Sequence, residues 1–284
     1  MAQLLKGADV VAALADKMNV SIEQLKSKGV SPTLAIVRVG ERPDDISYEK
    51  NAIKRCDSVG VEARSVVLPG DVTQDELLRC IEMLNNDDGV HGVLIFRPLP
   101  AHINARAVCE ALCPEKDVDG ITDSSFAQVF TGKGTGYAPC TAEACLAILD
   151  HFNIDCKGKR VVVIGHSLVV GRPTAVLLIG RDATVTVCHE FTKDVPSITK
   201  TAEIIIVAVG KKDLLRKEHF SPGQIVIDVG INWDPEKGKI CGDVSFEDAD
   251  PVVEAITPVP GGVGPVTISV LVSHVVEAAK KTLK

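Results

Sequence analysis

The residues with the clearest chemical potential lie in Gly165-His-Ser-Leu-Val-Val-Gly171, a glycine turn after the uncharged β-branched run Val161–Ile164. An apolar stretch of helical length follows to Ile179. A helix opened this way offers free N–H groups and a partial positive charge to a pyrophosphate. A second β-branched run, Ala183–Cys188, ends at His189-Glu190 and completes a strand–helix–strand unit of the ~30 residues such units need. The spacing is G-x-S-x-x-x-G rather than G-x-G-x-x-G, so spacing alone fits a structural turn as well as a nucleotide site. Glu190 tips the balance. It follows Gly165 by about 25 residues, at the carboxyl end of the second strand. An acid there accepts from a ribose 2′-hydroxyl and repels a 2′-phosphate. The expected cofactor is therefore NAD, with NADP the lesser alternative.

A second chemical stretch is Thr257-Pro-Val-Pro-Gly-Gly-Val-Gly-Pro265. Its glycines let backbone approach a ligand closely, and its rigidity lowers the ordering cost. An interdomain turn is the alternative, usually with more polar residues. Gly210 and Gly230 close two further β-branched runs, at the strand ends where open parallel sheets hold ligands. Cys140, in Pro-Cys-Thr, has no base placed for it in sequence and lines a site rather than attacking. Trp233 is expected to pack. The histidines show no metal-ligand spacing, and no metal is expected.

The elements that must position these residues follow from composition and periodicity. At 284 residues the chain has length for two domains with their own cores. Aromatics make up 4%, so those cores are built of Val, Ile, Leu and Ala, which suits α/β layers. A net charge of −7 argues against a nucleic-acid surface or an anionic membrane as partner. No apolar run reaches the ~18 residues of a membrane span, and Met1–Lys6 lacks the layout of a signal peptide. Nine cysteines without a C-x-x-C pair indicate neither a zinc knuckle nor a disulfide framework, so thiols in a reducing cytoplasm are expected.

In chain order, helices are expected at Ala8–Lys28, Pro43–Gly60 (capped by Asp44 or Asp45), Thr73–Asn85 and Ala105–Leu112. Strands are expected at Thr33–Val39, Val61–Leu68 and Val90–Phe96, the last stopped by Arg97-Pro-Leu-Pro100. Such alternation means a parallel sheet. Thr141 caps a helix to Phe152, and strands Glu203–Val209 and Ile225–Gly230 and a final helix Thr267–Leu283 complete the pattern. The expected fold is α/β in two domains: residues 1–140 with the C-terminal helix 267–284, and a Rossmann domain over 141–266.

Read together, Lys116–Gly120 (KDVDG), Ala138–Thr141 (APCT), Gly165–Pro173, Ala183–His189, Ile227–Asn232 (IDVGIN) and Thr257–Pro265 resemble the methylenetetrahydrofolate dehydrogenase/cyclohydrolase family. The match runs in order over nearly the whole chain. The resemblance implies a folate-facing N-terminal domain, a cleft against the Rossmann domain, and a homodimer. It implies hydride transfer from 5,10-methylenetetrahydrofolate to nicotinamide, then hydrolysis of the methenyl cation. Tyr48 is implied to orient the pterin and Asp119 to bind its polar edge, with Phe96, Arg97 and Leu99 beside them. Asp117 is structural. Pro260, Gly261 and Gly262 are implied to meet folate and nicotinamide through backbone. Cofactor contacts carried over are Cys140, Thr141, Gly165, His166, Ser167, Val170, Gly171, His189, Glu190, Val209, Gly210, Gly230, Ile231 and Thr267.

Two departures from the family pattern bear on the chemistry. Hydride transfer releases no proton and its cation is delocalised, so positioning beside an anion suffices. Hydrolysis needs proton management. The family assigns this work to a Tyr-x-x-x-Lys pair and to a Gln after the third strand. Here the lysine position is Ala52 and the glutamine position is Phe96. Lys50 and Lys54, at i+2 and i+6 from Tyr48, fall about 160° and 120° away on a helix and cannot share its face. A dehydrogenase with little or no cyclohydrolase activity is expected. His166 and Glu190 also replace the Arg and Ser of NADP-using members, although Arg172 and Lys193 could restore phosphate binding. Arg97 replaces an apolar residue and either pairs with a carboxylate or points to solvent. The competing readings are a bifunctional enzyme in which water or Arg97 stands in for the missing pair, and a catalytically silent folate- or nucleotide-binding relative.

Overall fold

A computed structural model describes residues 1–283. The first half of the chain runs β1 (Gln3–Leu4), α1 (Gly7–Ser27), β2 (Thr33–Val39), α2 (Pro43–Val59), β3 (Glu62–Leu68), α3 (Gln74–Asn86), β4 (Gly92–Ile95), α4 (Ala105–Ala111) and α5 (Asp123–Thr131). After α6 (Cys140–His151) come β5 (Arg160–Ile164), α7 (Gly171–Ile179), β6 (Thr184–Cys188), α8 (Val195–Thr199), β7 (Ile204–Val207) and β8 (Ile225–Asp228). The hairpin β9 (Asn232–Asp234) and β10 (Lys239–Cys241), then α9 (Phe246–Ala249), β11 (Ala255–Ile256) and α10 (Val263–Lys281), close the chain. The chain divides into two compact units, Leu14–Cys140 with Ile268 onward, and Met1–Ala13 with Thr141–Thr267. Both are α/β.

The unit containing Leu14–Cys140 is built on a parallel sheet in the order β3-β2-β4. Strand β2 is buried along nearly its whole length, as a central parallel strand is, with Arg38 the half-buried exception that pairs with Glu49 of α2. Ala35, Val37 and Val39 pack with Val93 and Ile95 of β4, Leu77 and Ile81 of α3, and Val108 of α4. Helix α3 starts with a complete capping box: Thr73 accepts from the Glu76 amide, and Glu76 accepts from that of Thr73. Its C-terminus is closed from a distance. Lys116 Nζ donates to the carbonyls of Leu84, Asn85 and Asp87 at 2.7–2.8 Å, placing a cation where the helix dipole is negative.

The other unit carries six parallel strands in the order β1-β11-β8-β7-β5-β6. Val162, Ile164, Ile205, Val207 and Val226 supply one face of its core. The expected boundaries differ at both ends. Residues 1–13 join this unit because β1 pairs with β11 (Gln3 with Ala255, Leu4 with Ile256), and Thr267 falls with it too.

Other differences have local causes. Helix α2 is capped by Arg42, not Asp44 or Asp45, because Pro43 takes the first helical position, where its missing N–H costs nothing. Thr141 lies inside the first turn of α6 rather than capping it. Helix α10 starts at Val263, a turn earlier than expected, since a first-turn proline such as Pro265 is tolerated. This helix is long and apolar enough to cross a membrane by composition, but 67% of that stretch is buried in the protein, as in a core helix. Helix α5 is an addition, capped by Thr122 and ended by left-handed Gly132. All nine cysteines are free.

Charged hydrogen bonds contribute about 1.5–3 kcal/mol each to stability before desolvation is offset. Lys116→Met, which removes three of them, is expected to cost about 2 kcal/mol overall, read as a lower urea midpoint with an unchanged slope.

Candidate active site

The KDVDG segment divides its work residue by residue. Lys116 closes α3, as above. Asp117 is fully buried and accepts from Ile121 N, Thr122 N and Ser125 Oγ at 2.6–2.9 Å, which bears out its structural reading. Val118 is buried, and its carbonyl accepts from His274 Nδ1 at 2.8 Å. Gly120, at φ +68°, turns the chain where a side chain would collide with Ala138 and Pro139 backbone. Between them Asp119 is presented to a cavity of about 300 Å³ that Tyr48, Phe96 and Arg97 also line.

Within that cavity the Tyr48 and Phe96 rings meet edge-on, 5.6 Å apart at 86°, a favoured aromatic geometry that fixes the tyrosine. Burial holds the Tyr48 phenol well above its ordinary range, with Asp119 and Cys140 adding to the shift. The phenol therefore stays protonated near neutrality. Arg97 Nη2 lies 3.6 Å from Asp119 Oδ2, so the arginine pairs with a carboxylate rather than pointing to solvent. Burial pushes the Asp119 carboxyl up to about 6, opposed first by Arg97. Ala52, one turn on from Tyr48, is fully buried, while Lys50 and Lys54 are exposed and do not line the cavity.

The nucleotide-side cavity, about 700 Å³, sits in the other unit at the carboxyl ends of β5, β6 and β7. Gly165, His166, Ser167, His189, Glu190 and Val209 all line it. Gly165 adopts φ +108°, and side chains at Gly165 or Gly171 would collide with Ala208 or Gly165 backbone, so the turn needs glycine at both places. Ser167 Oγ accepts from Val170 N at 3.1 Å and shapes the turn into α7. The rings of His166 and His189 lie 4.9 Å apart, and His189 Nδ1 accepts from Phe191 N. Glu190 is exposed beside them. Lys211 also lines the cavity, whereas Arg172 and Lys193 do not.

Other expected contacts fall elsewhere. Gly230, Ile231, Pro260, Gly261 and Gly262 line a third cavity of about 140 Å³ in the nucleotide-side unit. Val170 and Gly171 lie behind the turn, outside the large cavity. Thr267 is buried, its hydroxyl spent on the Val263 carbonyl. Leu99 packs on the core of its unit. Cys140 is buried, its thiol donating to Val118 O at 3.1 Å and lying 3.7 Å from His274 Nδ1. Trp233, expected to pack, is 65% exposed on β9, paired with Ile240 across the hairpin.

Two carboxylates escaped the sequence reading. Asp243, fully buried, accepts from the amides of Val209, Gly210 and Lys211 at 2.7–2.9 Å and from Asn232 Nδ2 at 2.9 Å. This is why β7 stops at Val207: the carboxylate captures amides that would otherwise continue the strand. Asp228 accepts from Gly230 N, Asp243 N and Val244 N, and ends β8 in the same way. Burial pushes its carboxyl up to about 7 against those donors. Two aspartates at strand or hairpin ends beside glycine (Asp228 before Val-Gly, Asp243 after Gly242) were the available signal.

Comparison with known proteins gives two family-model matches: tetrahydrofolate dehydrogenase/cyclohydrolase, catalytic domain, over residues 5–119, and its NAD(P)-binding domain over residues 139–283. The chain is 45% identical over 281 residues to "Bifunctional protein FolD" of Carboxydothermus hydrogenoformans, covering 99% of this chain and 98% of that one. The crystal structure of a bifunctional FolD from Campylobacter jejuni superposes with a TM-score of 0.96 at 42% identity, covering all of both chains. That of the Trypanosoma brucei dehydrogenase-cyclohydrolase, complexed with NADP and an inhibitor, gives 0.94 at 35% identity, covering 100% of this chain and 99% of that one.

Asp243→Asn keeps the shape but aims an N–H₂ at backbone N–H groups. It is expected to raise the KM for the dinucleotide about tenfold or more, while folic acid binding, measured by calorimetry, changes less than about twofold.

Proposed function

The chain belongs to the tetrahydrofolate dehydrogenase/cyclohydrolase family, and on that premise we propose that it is an NAD-preferring 5,10-methylenetetrahydrofolate dehydrogenase with methenyl hydrolysis lost. In the proposed reaction a hydride leaves the methylene carbon for the nicotinamide, giving NADH and the methenyl cation. No proton moves, so no base is needed, and positioning of the two reactants suffices.

The observation that carries the loss of hydrolysis is the makeup of the Tyr48 cavity. No lysine or amide side chain is among its lining residues, and Ala52 and Phe96 occupy the two positions where the family pattern has Lys and Gln. Water addition to the cation needs a group that takes a proton near neutrality. The Tyr48 phenol, held protonated by burial, is not that group, and Asp119 is the carboxylate expected to hold the pterin rather than a water. A bifunctional enzyme is the second reading, favoured by the names that close relatives carry and by the arginine now standing in the cavity.

The cofactor preference rests on Glu190 in the nucleotide-side lining, where its charge meets a 2′-phosphate unfavourably. NADP is the second reading here, favoured by Lys211 in the same lining and by the NADP held by the Trypanosoma brucei relative. A cytoplasmic homodimer completes the proposal. Free cysteines suit a reducing compartment, and β6 leaves a sheet edge with Val187 exposed.

Following NADH and methenyl absorbance separately tests the single-reaction reading. Methenyl product is expected to accumulate one-for-one with NADH, and the paired substitution Ala52→Lys with Phe96→Gln to raise its hydrolysis about a hundredfold. A wild-type hydrolysis rate comparable to the dehydrogenase rate would sink the proposal. For the cofactor, kcat/KM is expected to favour NAD by about tenfold or more, and Glu190→Ser to erase most of that ratio. An NADP preference in the wild type would reverse the assignment.

A further inference from the structure

Asp119 lies among several charged or titratable groups. The Tyr48 phenol approaches from α2, Asp117 from its own loop, the Cys140 thiol from the start of α6, and His274 from α10, while Arg42, Asp44 and Asp45 at the start of α2 line the same cavity. Arg97 approaches from the segment after β4, with its side chain 30% exposed and that of Asp119 23% exposed. At that depth a pair is screened less than one on the open surface. Among the influences on Asp119, burial and Asp117 favour the neutral acid, while Arg97 is the strongest acting for the anion, ahead of Cys140 and His274. Of those three, only the guanidinium keeps its full positive charge at every working pH.

We propose that Arg97 is a positioning residue of this cavity, holding Asp119 as an aimed anion so that both carboxylate oxygens accept from the donor edge of a pterin. The proposal rests on the dehydrogenase reading and deepens it. A pterin presents a ring N–H and an exocyclic amino group side by side. A carboxylate matches two such donors, whereas a protonated acid turns one acceptor into a donor. Consecutive residues thus serve the two groups expected to hold the pterin: Phe96 fixes the Tyr48 ring, and Arg97 fixes the Asp119 carboxylate.

The test compares wild type, Arg97→Leu and Arg97→Lys in the pH profile of kcat/KM for 5,10-methylenetetrahydrofolate at saturating NAD. Loss of the cation makes Asp119 harder to ionise, so the acid limb must move to higher pH. Arg97→Leu is expected to shift it up by about one pH unit, with a loss of about fivefold at pH 6 that all but vanishes at pH 8.5, and Arg97→Lys to restore the wild-type limb. A limb that superimposes on the wild type, or a loss independent of pH, overturns the proposal. Titration of ¹³C-labelled aspartate by NMR, with Asp119→Asn to assign the resonance, follows the carboxyl directly in the ligand-free proteins. An unmoved Asp119 titration in Arg97→Leu refutes the role of Arg97 even in a protein without dehydrogenase activity. Inactivity of the wild type with an intact titration shift would instead refute the dehydrogenase reading.

Discussion

A buried carboxylate is tolerated only where donors surround it, and the nucleotide-side unit turns that requirement into shape. Asp243 draws together the amides of residues 209–211 and the amide of Asn232, and Asp228 holds Asp243's own backbone N–H. The two aspartates therefore form a chain of dependence. Strands β7 and β8 end where they do because these acceptors outcompete the ladder, and the freed loops supply walls of the large and the small cavity. Removing the Asp228 carboxylate strands buried N–H groups, and removing that of Asp243 leaves the part-buried amides of residues 209–211 without their acceptor. The cavity geometry and the stability of this unit are thus maintained by the same bonds.

Local signals made much of the fold legible. Strands β2, β5 and β6 are apolar or β-branched runs bounded by glycine, and α3 declares itself through Thr73 and Glu76. Elements made by distant partners were not. The two-residue strands β1 and β11 carry no periodicity, and pairing with distant partners, β1 with β11 and β11 with β8, makes them strands. Helix α5 carries its signals in Thr122 and Gly132, but its nine residues are too short for a clear apolar stripe.

For the site, residue types predicted grouping better than contact. Tyr48, Phe96, Arg97 and Asp119 do share one cavity, and Gly165, His166, Ser167, His189 and Glu190 another. Leu99, Cys140 and Thr267 sit beside the right segments, but their side chains are taken up by core packing or by a local acceptor. Sequence distance hides such competition: nothing near Cys140 in the chain announces Val118 or His274. Asp243 carries only a weak local signal for the same reason, three of its four donors lying more than thirty residues upstream.

The scarcity of aromatic residues leaves this chain a single tryptophan, and the hairpin holds it in water rather than in the core. Trp233 faces Ile240 across β9 and β10, and Ile240 is itself part of the wall of the small cavity beside Gly230. Its indole emission therefore arises from one known place next to a ligand-sized space. The protein carries its own optical reporter for events at that wall, without label or competing background from other indoles.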